Sequence, residues 1–151
     1  MDKGLRDIIL VIEKFYASDN KTCYVFTSDH GMTDWGSHGA GTPHETYTPF
    51  ITWGAGIKAI SNFSIENFIY PKQTINIEQV DIAPYISCLL GIPTPLNSLG
   101  RLPFELLINP LYQQQCLLGN TLQIYQQYKF LRQKVKTEIH RSYFTPFEEH
   151  M

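Results

Sequence analysis

Residues 23–32 read CYVFTSDHGM, and the abrupt change of character within this stretch decides the fold class. Residues 23–26 are apolar and β-prone, and their nearly continuous hydrophobicity predicts a strand buried on both faces. The next run, residues 29–48, is rich in Gly, His, Ser, Thr and Pro and has no apolar period. We therefore predict a long loop at the end of a buried strand, where α/β proteins bind ligands.

The elements on either side of this stretch agree with an α/β fold. Residues 5–16 place apolar side chains at spacings of three and four, which predicts an amphipathic helix before the strand. Residues 49–53 predict a second strand, which the glycines of residues 54–56 close. Because 43% of the residues are hydrophobic, the chain can bury a core, and we expect residues 1–151 to form one α/β unit.

Two further helices are predicted in the second half of the chain. Asn76 and Gln79 resemble a capping box for a helix that runs to about residue 90, where glycine and proline follow. Pro84 would kink this helix unless its first turn begins later. The last helix spans residues 111–135. Its apolar stripe, which we assign to core packing, consists of Leu118, Leu122, Tyr125 and Tyr128.

Charge and length exclude some classes of function. The formal net charge is -2, and no basic stripe is present in the sequence, so we expect no nucleic-acid partner. No apolar run is long enough to cross a bilayer. The three cysteines are too far apart for a zinc-finger pattern and do not fix the redox compartment. Asn20 and Asn62 each begin an N-glycosylation triplet, which favours a secretory compartment.

Three side chains at the end of the first strand form a candidate metal centre. Asp29 and His30 are adjacent where the strand stops, and Gly31 lets the backbone turn. His38 follows eight residues later between glycine-rich segments that would let it fold back toward the same point. Carboxylate and imidazole are good ligands for Zn²⁺ or Mn²⁺. A two-metal site needs more ligands than these three and a group that attacks phosphorus, so the constellation is incomplete.

Other polar residues of the loop are weaker candidates for the site. We assign His44 and Glu45 to substrate binding, although a surface histidine is the simpler interpretation of His44. The hydroxyl groups nearby have no activating base at a telling spacing, so we assign no catalytic nucleophile in this chain. These hydroxyls belong to Thr27, Thr33, Ser37 and Thr42.

The same residues carry a family resemblance that covers nearly the whole chain. Residues 26–41 read FTSDHGMTDWGSHGAG, residues 53–57 read WGAGI, residues 80–84 read VDIAP and residues 144–147 read FTPF. Together they resemble the GPI ethanolamine phosphate transferases, which belong to the alkaline-phosphatase and phosphodiesterase superfamily. The string from Asp29 to Gly39 is highly specific to this family.

The resemblance implies a fold, a cofactor and an activity. The fold would be an alkaline-phosphatase-like three-layer α/β sandwich, of which residues 1–151 form the C-terminal portion. Asp29 and His30 would hold one ion of a pair of Zn²⁺ ions, with Mn²⁺ or Mg²⁺ as alternatives, and His38 would hold the neighbouring ion. The enzyme would lie in the endoplasmic reticulum membrane with its catalytic domain in the lumen. It would move phosphoethanolamine from phosphatidylethanolamine to the first mannose of a GPI precursor.

Parts of the family pattern lie outside the matched segment. The family's threonine nucleophile, its first metal-binding aspartate and a further Asp-His pair precede the segment, and its membrane helices follow it. We therefore expect a fragment that is inactive alone and whose membrane association comes from other segments. Two alternatives stay open: another phosphodiesterase or phosphomutase of the superfamily, and a catalytically inactive protein that binds a metal or a partner through the same loop.

Overall fold

The structure is a computed structural model, and it describes residues 2–58 and 75–138. These residues form helices and strands in mixed order, as an α/β fold requires. The predicted glycosylation triplet at Asn62 lies outside the described residues. The regular elements are α1 (Asp2–Phe15), β1 (Cys23–Thr27), α2 (Pro43–Thr46), β2 (Phe50–Gly54), α3 (Ile82–Leu90) and α4 (Pro110–Glu138). Short 3₁₀ turns at Gln79–Asp81 and Phe104–Leu106 precede α3 and α4.

The two strands pair with each other in an antiparallel sheet. The register places Cys23 opposite Gly54 and Thr27 opposite Phe50, so the loop between the strands leaves and returns at the same end of the sheet. The prediction that β1 is buried on both faces is wrong, because its first four residues are only half-buried. Within residues 2–58 and 75–138, β1 has a single partner strand, so its other edge is not covered by a strand.

Each face of the sheet has its own neighbour. On one face, Val25 and Phe50 pack against a core cluster, at whose centre Tyr85 of α3 is completely buried. The Tyr85 hydroxyl also shares a 3.0 Å hydrogen bond with Thr52 of β2. On the other face, Tyr24 stacks on Trp53 with ring centroids 5.0 Å apart and donates a 2.7 Å hydrogen bond to the Glu13 carboxylate of α1. The sheet is therefore fixed from both sides.

Helix α3 begins later than the sequence predicts. Before the helix, the backbone N–H of Glu78 donates a 3.0 Å hydrogen bond to the Asp81 carboxylate. Glu78 and Asp81 therefore form the cap, and Asn76 and Gln79 do not. The α-helix proper then starts at Ile82. Pro84 consequently lies in the first turn, where its missing N–H is not needed, and the expected kink does not arise. The helix ends at Gly91, whose φ of 67° is left-handed, as predicted for a terminating glycine.

Helix α4 does not pack through the predicted stripe. Its four apolar residues, Leu118, Leu122, Tyr125 and Tyr128, are between 39% and 60% exposed. The buried face instead carries amides. Asn120 accepts a hydrogen bond from the Leu102 N–H and donates one to the Gly100 carbonyl, and Gln123 donates to the Ser98 carbonyl. The core-packing prediction is wrong because the segment before α4 presents unpaired backbone groups, and amides satisfy them.

Two of the three cysteines are paired. Cys88 of α3 and Cys116 of α4 form a disulfide with Cα atoms 5.7 Å apart, whereas Cys23 is a free, half-buried thiol. The sequence spacing did not reveal this pairing, because it depends on how two helices pack. In the parts of the chain that the structure describes, no helix combines the length and the apolar character that a membrane crossing requires.

Candidate metal centre

Asp29 and His30 lie where β1 ends, as predicted, and both are exposed. The backbone N–H of His30 donates a 3.0 Å hydrogen bond to one Asp29 oxygen, and the other oxygen lies 3.7 Å from His30 Nε2. Ser28 Oγ donates to the His30 carbonyl at 2.8 Å. From outside the loop, the Gln79 amide donates to the Asp29 carbonyl at 3.0 Å. The adjacent pair is therefore held by its own backbone and by the turn that precedes α3.

His38 folds back onto His30, as its glycine-rich flanks predict. The two imidazole rings stack with centroids 5.3 Å apart and an interplanar angle of 17°. The return depends on a tight turn in which buried Thr33 exchanges hydrogen bonds with Ser37, and the Gly36 N–H donates to the Thr33 carbonyl. Gly36 has a φ of 86°, a conformation that a residue with a side chain rarely adopts.

The hydrogen bonds of the two histidines leave one nitrogen of each ring free for a ligand. His30 Nδ1 lies 2.7 Å from the Gly31 carbonyl, and His38 Nδ1 lies 3.2 Å from the Gly36 carbonyl. Because a carbonyl only accepts, each Nδ1 carries a proton, so the lone pair of the neutral ring lies on Nε2. This arrangement of a backbone acceptor behind the ring is the one that metal-binding histidines use.

The Asp29 carboxylate is held in its ionised form. The protonated form of the neighbouring His30 imidazole is the main cause that lowers the pKa of Asp29, and hydrogen bonds from backbone N–H groups act in the same direction. An ionised carboxylate is the form that binds a metal, so the local electrostatics suit the predicted role.

The predicted loop contains one helical turn, α2, which organises the site. Its Glu45 is buried, and its carboxylate accepts a 2.5 Å hydrogen bond from Ser37 Oγ and 2.9 Å bonds from both Thr42 N–H and Thr42 Oγ1. These hydrogen bonds, led by that from Ser37, lower the pKa of Glu45 to about 2. The prediction of a loop without regular structure is therefore wrong at residues 43–46. The Thr-x-x-Glu spacing of a capping box is the signal that sequence reasoning missed.

Gly31 connects α2 to the end of β1. Its N–H donates to the Glu45 carbonyl at 2.7 Å. A Cβ at this position would stand 2.1 Å from the His44 carbonyl oxygen, so only glycine allows this approach. The two residues that we assigned to substrate binding thus differ: His44 is exposed at the surface, and Glu45 is buried with its carboxylate oxygens hydrogen-bonded. For both residues, substrate binding stays a prediction.

The donors present fit part of a two-metal centre. Asp29 Oδ2 and His30 Nε2 lie 3.7 Å apart, near the separation of about 3.4 Å between two ligand atoms of one tetrahedral zinc ion. Within the described ranges, no group of three acidic, histidine or cysteine side chains is arranged to hold an ion by itself. Asp29, His30 and His38 therefore do not form a complete metal site by themselves, and their role as metal ligands stays a prediction.

The hydroxyl groups near the centre are occupied with loop structure. Thr33, Ser37 and Thr42 donate to Ser37 O, Glu45 Oε1 and Glu45 Oε2, respectively. Thr27 donates to the neighbouring Ser28 carbonyl. Thr27 and Thr33 therefore contact backbone carbonyls, which cannot act as a base. Ser37 and Thr42 contact the Glu45 carboxylate, whose low pKa makes it a poor base for generating a nucleophile.

Nearly the whole chain can be aligned with known proteins. The chain is 42% identical over 158 aligned residues to GPI ethanolamine phosphate transferase 1 of mouse, and 42% identical over the same length to the human protein of that name. The Aspergillus fumigatus protein of that name is 35% identical over 161 residues. Each alignment covers 98% of this chain, but the chain spans only 17%, 17% and 15% of the three relatives' lengths. No protein-family model and no solved structure matches the chain.

Proposed function

Because 98% of the chain is homologous to a segment of proteins named GPI ethanolamine phosphate transferase 1, we propose that it forms part of a metal-dependent phosphoethanolamine transferase. The donor would be phosphatidylethanolamine, and the acceptor would be the first mannose of a GPI-anchor precursor. The observation that carries the proposal is the juxtaposition of Asp29, His30 and His38 at the end of β1, within the aligned segment. The remaining ligands and the nucleophile would come from other parts of a longer protein.

The role of this segment in the reaction is to hold metal ligands in place. Asp29 and His30 would bind one divalent ion, and His38 would bind its neighbour, with zinc the first choice for this donor set. Such ions stabilise the charge that develops on phosphate oxygens and lower the pKa of a bound hydroxyl. The backbone acceptor at each Nδ1 would leave the Nε2 of the neutral ring as the nitrogen that binds the metal. His44, whose side chain is exposed, would contact the substrate.

The fold and compartment proposed for the segment follow from the same homology. We place it in the C-terminal part of an alkaline-phosphatase-like three-layer sandwich, and the neighbours of the sheet on its two faces, α1 and the core around Tyr85, support this. We place the longer protein in the endoplasmic reticulum membrane, with this segment in the lumen. The Cys88–Cys116 disulfide and the exposed Asn20 suit such an oxidising, glycosylating compartment.

A segment exchange tests the activity. The matching part of the mouse relative is replaced by this chain, and the transfer of phosphoethanolamine to the first mannose is measured in microsomes. We expect the chimera to be active, and His30→Ala and His38→Ala to reduce its rate by at least about 100-fold. Asp34→Ala, which removes an exposed acid from the same loop, is the control and leaves the rate unchanged. A chimera that is expressed and folded but inactive contradicts the proposal, and an active His30→Ala chimera contradicts the metal assignment.

A further inference from the structure

Glu45 is built into the centre in a way that excludes direct contact with a substrate. The residue is 3% exposed, although carboxylates are seldom buried without several partners. One oxygen accepts from Ser37 Oγ, and the other accepts from the N–H and the hydroxyl of Thr42. The Ala40 N–H also hydrogen-bonds to the carboxylate. With these contacts made, the side chain has no free acceptor that faces outward.

These contacts reach both halves of the candidate centre. Ser37 immediately precedes His38, so the 2.5 Å bond to Glu45 fixes the backbone from which His38 projects. On the other side, the Glu45 carbonyl accepts from the N–H of Gly31, the residue that follows His30. One residue of α2 thus holds the two backbone positions that bring the imidazole rings to within 5.3 Å of each other.

We propose that Glu45 is a positioning residue that sets the spacing of His30 and His38, and not a substrate-binding residue. The inference deepens the proposed function and rests on it for the nature of the bound group, a divalent metal. Glu45 acts through Ser37 and Gly31 and does not touch the metal. Preorganisation of ligands by outer contacts of this kind raises metal affinity by about 10- to 100-fold.

Two substitutions at Glu45 separate the effect of its hydrogen bonds from the effect of its negative charge. In Glu45→Ala, the donors of Ser37, Ala40 and Thr42 lose their acceptor, and the loop between the two histidines loosens. In Glu45→Gln, the amide oxygen still accepts from the Thr42 N–H, and the amide NH₂ donates to Ser37 Oγ, so most of the brace is retained. Asp34→Ala removes one negative charge from an exposed side chain of the same loop, and it controls for a purely electrostatic effect.

The experiment measures zinc affinity and ring spacing in the 151-residue chain. Zinc binding is followed by calorimetry, and the metal-free protein is examined by NMR for cross-relaxation between the His30 and His38 ring protons. We expect Glu45→Ala to weaken zinc binding by about 10- to 100-fold and to abolish the cross-peak. Glu45→Gln should retain the cross-peak and lie within about threefold of the wild-type affinity, as should Asp34→Ala.

The outcomes distinguish this inference from the proposed function. If Glu45→Ala keeps both the wild-type affinity and the cross-peak, the positioning role is overturned. If the wild-type chain shows no zinc binding, these three side chains alone do not hold an ion, and the cross-peak alone decides the positioning role of Glu45. If Glu45→Ala does not fold, Ser37→Ala takes its place, because it removes the contact beside His38 and leaves the Thr42 contacts intact. Unchanged affinity and cross-peak in Ser37→Ala would then overturn the inference.

Discussion

The substitution Gly31→Ala adds a single methyl group but should strongly lower the stability of the folded chain. The added methyl carbon would stand 2.1 Å from the His44 carbonyl oxygen and 3.1 Å from the Tyr47 carbonyl oxygen. Atoms in ordinary contact stand roughly 3.5 Å apart, so the end of β1 and helix α2 must separate by about 1 Å or more. The hydrogen bond from Gly31 N–H to the Glu45 carbonyl, now 2.7 Å long, would then exceed the limit for a hydrogen bond.

The expected magnitude combines two terms. Overpacking against a fixed backbone costs about 1–3 kcal/mol, and a lost backbone hydrogen bond costs about 1 kcal/mol more. The sum, about 2–4 kcal/mol, lowers the midpoint of thermal unfolding of a chain of this size by about 5–15 °C. Where the loop yields locally without unfolding, the loss falls on the site, because His30 and His38 move apart and zinc binds more weakly.

Gly39→Ala is the matched control for this substitution. Gly39 lies in the same loop and beside the other histidine, but a Cβ there meets nothing within 4 Å. Its stability should stay the same or rise by up to about 1 kcal/mol, because alanine restricts the unfolded chain. Thermal unfolding and zinc calorimetry of the two variants test the reasoning. Equal melting temperatures and equal zinc affinities for Gly31→Ala and Gly39→Ala would refute it.

Three further predictions concern stability. Asn120→Ala leaves the Leu102 N–H and the Gly100 carbonyl without this partner in a buried site. Urea denaturation should therefore show that the free energy of unfolding falls by about 2–4 kcal/mol. For Gln126→Ala, which changes an exposed residue of the same helix, the free energy of unfolding should fall by less than about 0.5 kcal/mol. Reduction of the Cys88–Cys116 disulfide, which closes a separation of 28 residues, should destabilise the chain by about 3–4 kcal/mol, and a Cys88→Ser/Cys116→Ser variant should not respond to reductant. Because the folded pKa of Glu45 is lowered to about 2, its contribution to stability is complete above the ordinary carboxylate range and disappears as the pH falls from about 4.5 through 2. Acid titration followed by circular dichroism should show this loss in the wild type and a smaller one in Glu45→Gln.

The features that the sequence predicted correctly are those that depend on neighbouring residues. The helix before β1, both strands, the terminating role of Gly91 and the placement of Asp29 at a strand end all follow from local pattern. The return of His38 to His30 also follows, since glycine-rich flanks permit a tight turn. The disulfide and the burial of Glu45 did not, because each depends on an approach between elements that no periodicity records.

The wrong assignment of the α4 stripe shows what periodicity omits. Hydrophobic periodicity ranks the faces of a helix by their side chains, but packing also depends on what the opposing segment exposes. Here the opposing segment, residues 96–102, offers backbone carbonyls and an N–H, and an apolar face placed against them would leave those groups unpaired at about 1–3 kcal/mol each. Amides satisfy donors and acceptors together, so Asn120 and Gln123 outcompete Leu118 and Leu122 for the interface. The same logic governs the candidate metal centre, where the N–H and hydroxyl groups of a turning loop require a buried acceptor, and Glu45 supplies it. In both places a polar side chain is buried because it satisfies hydrogen-bonding groups that would otherwise be unpaired. At Glu45, the same hydrogen bonds hold the two histidines beside each other.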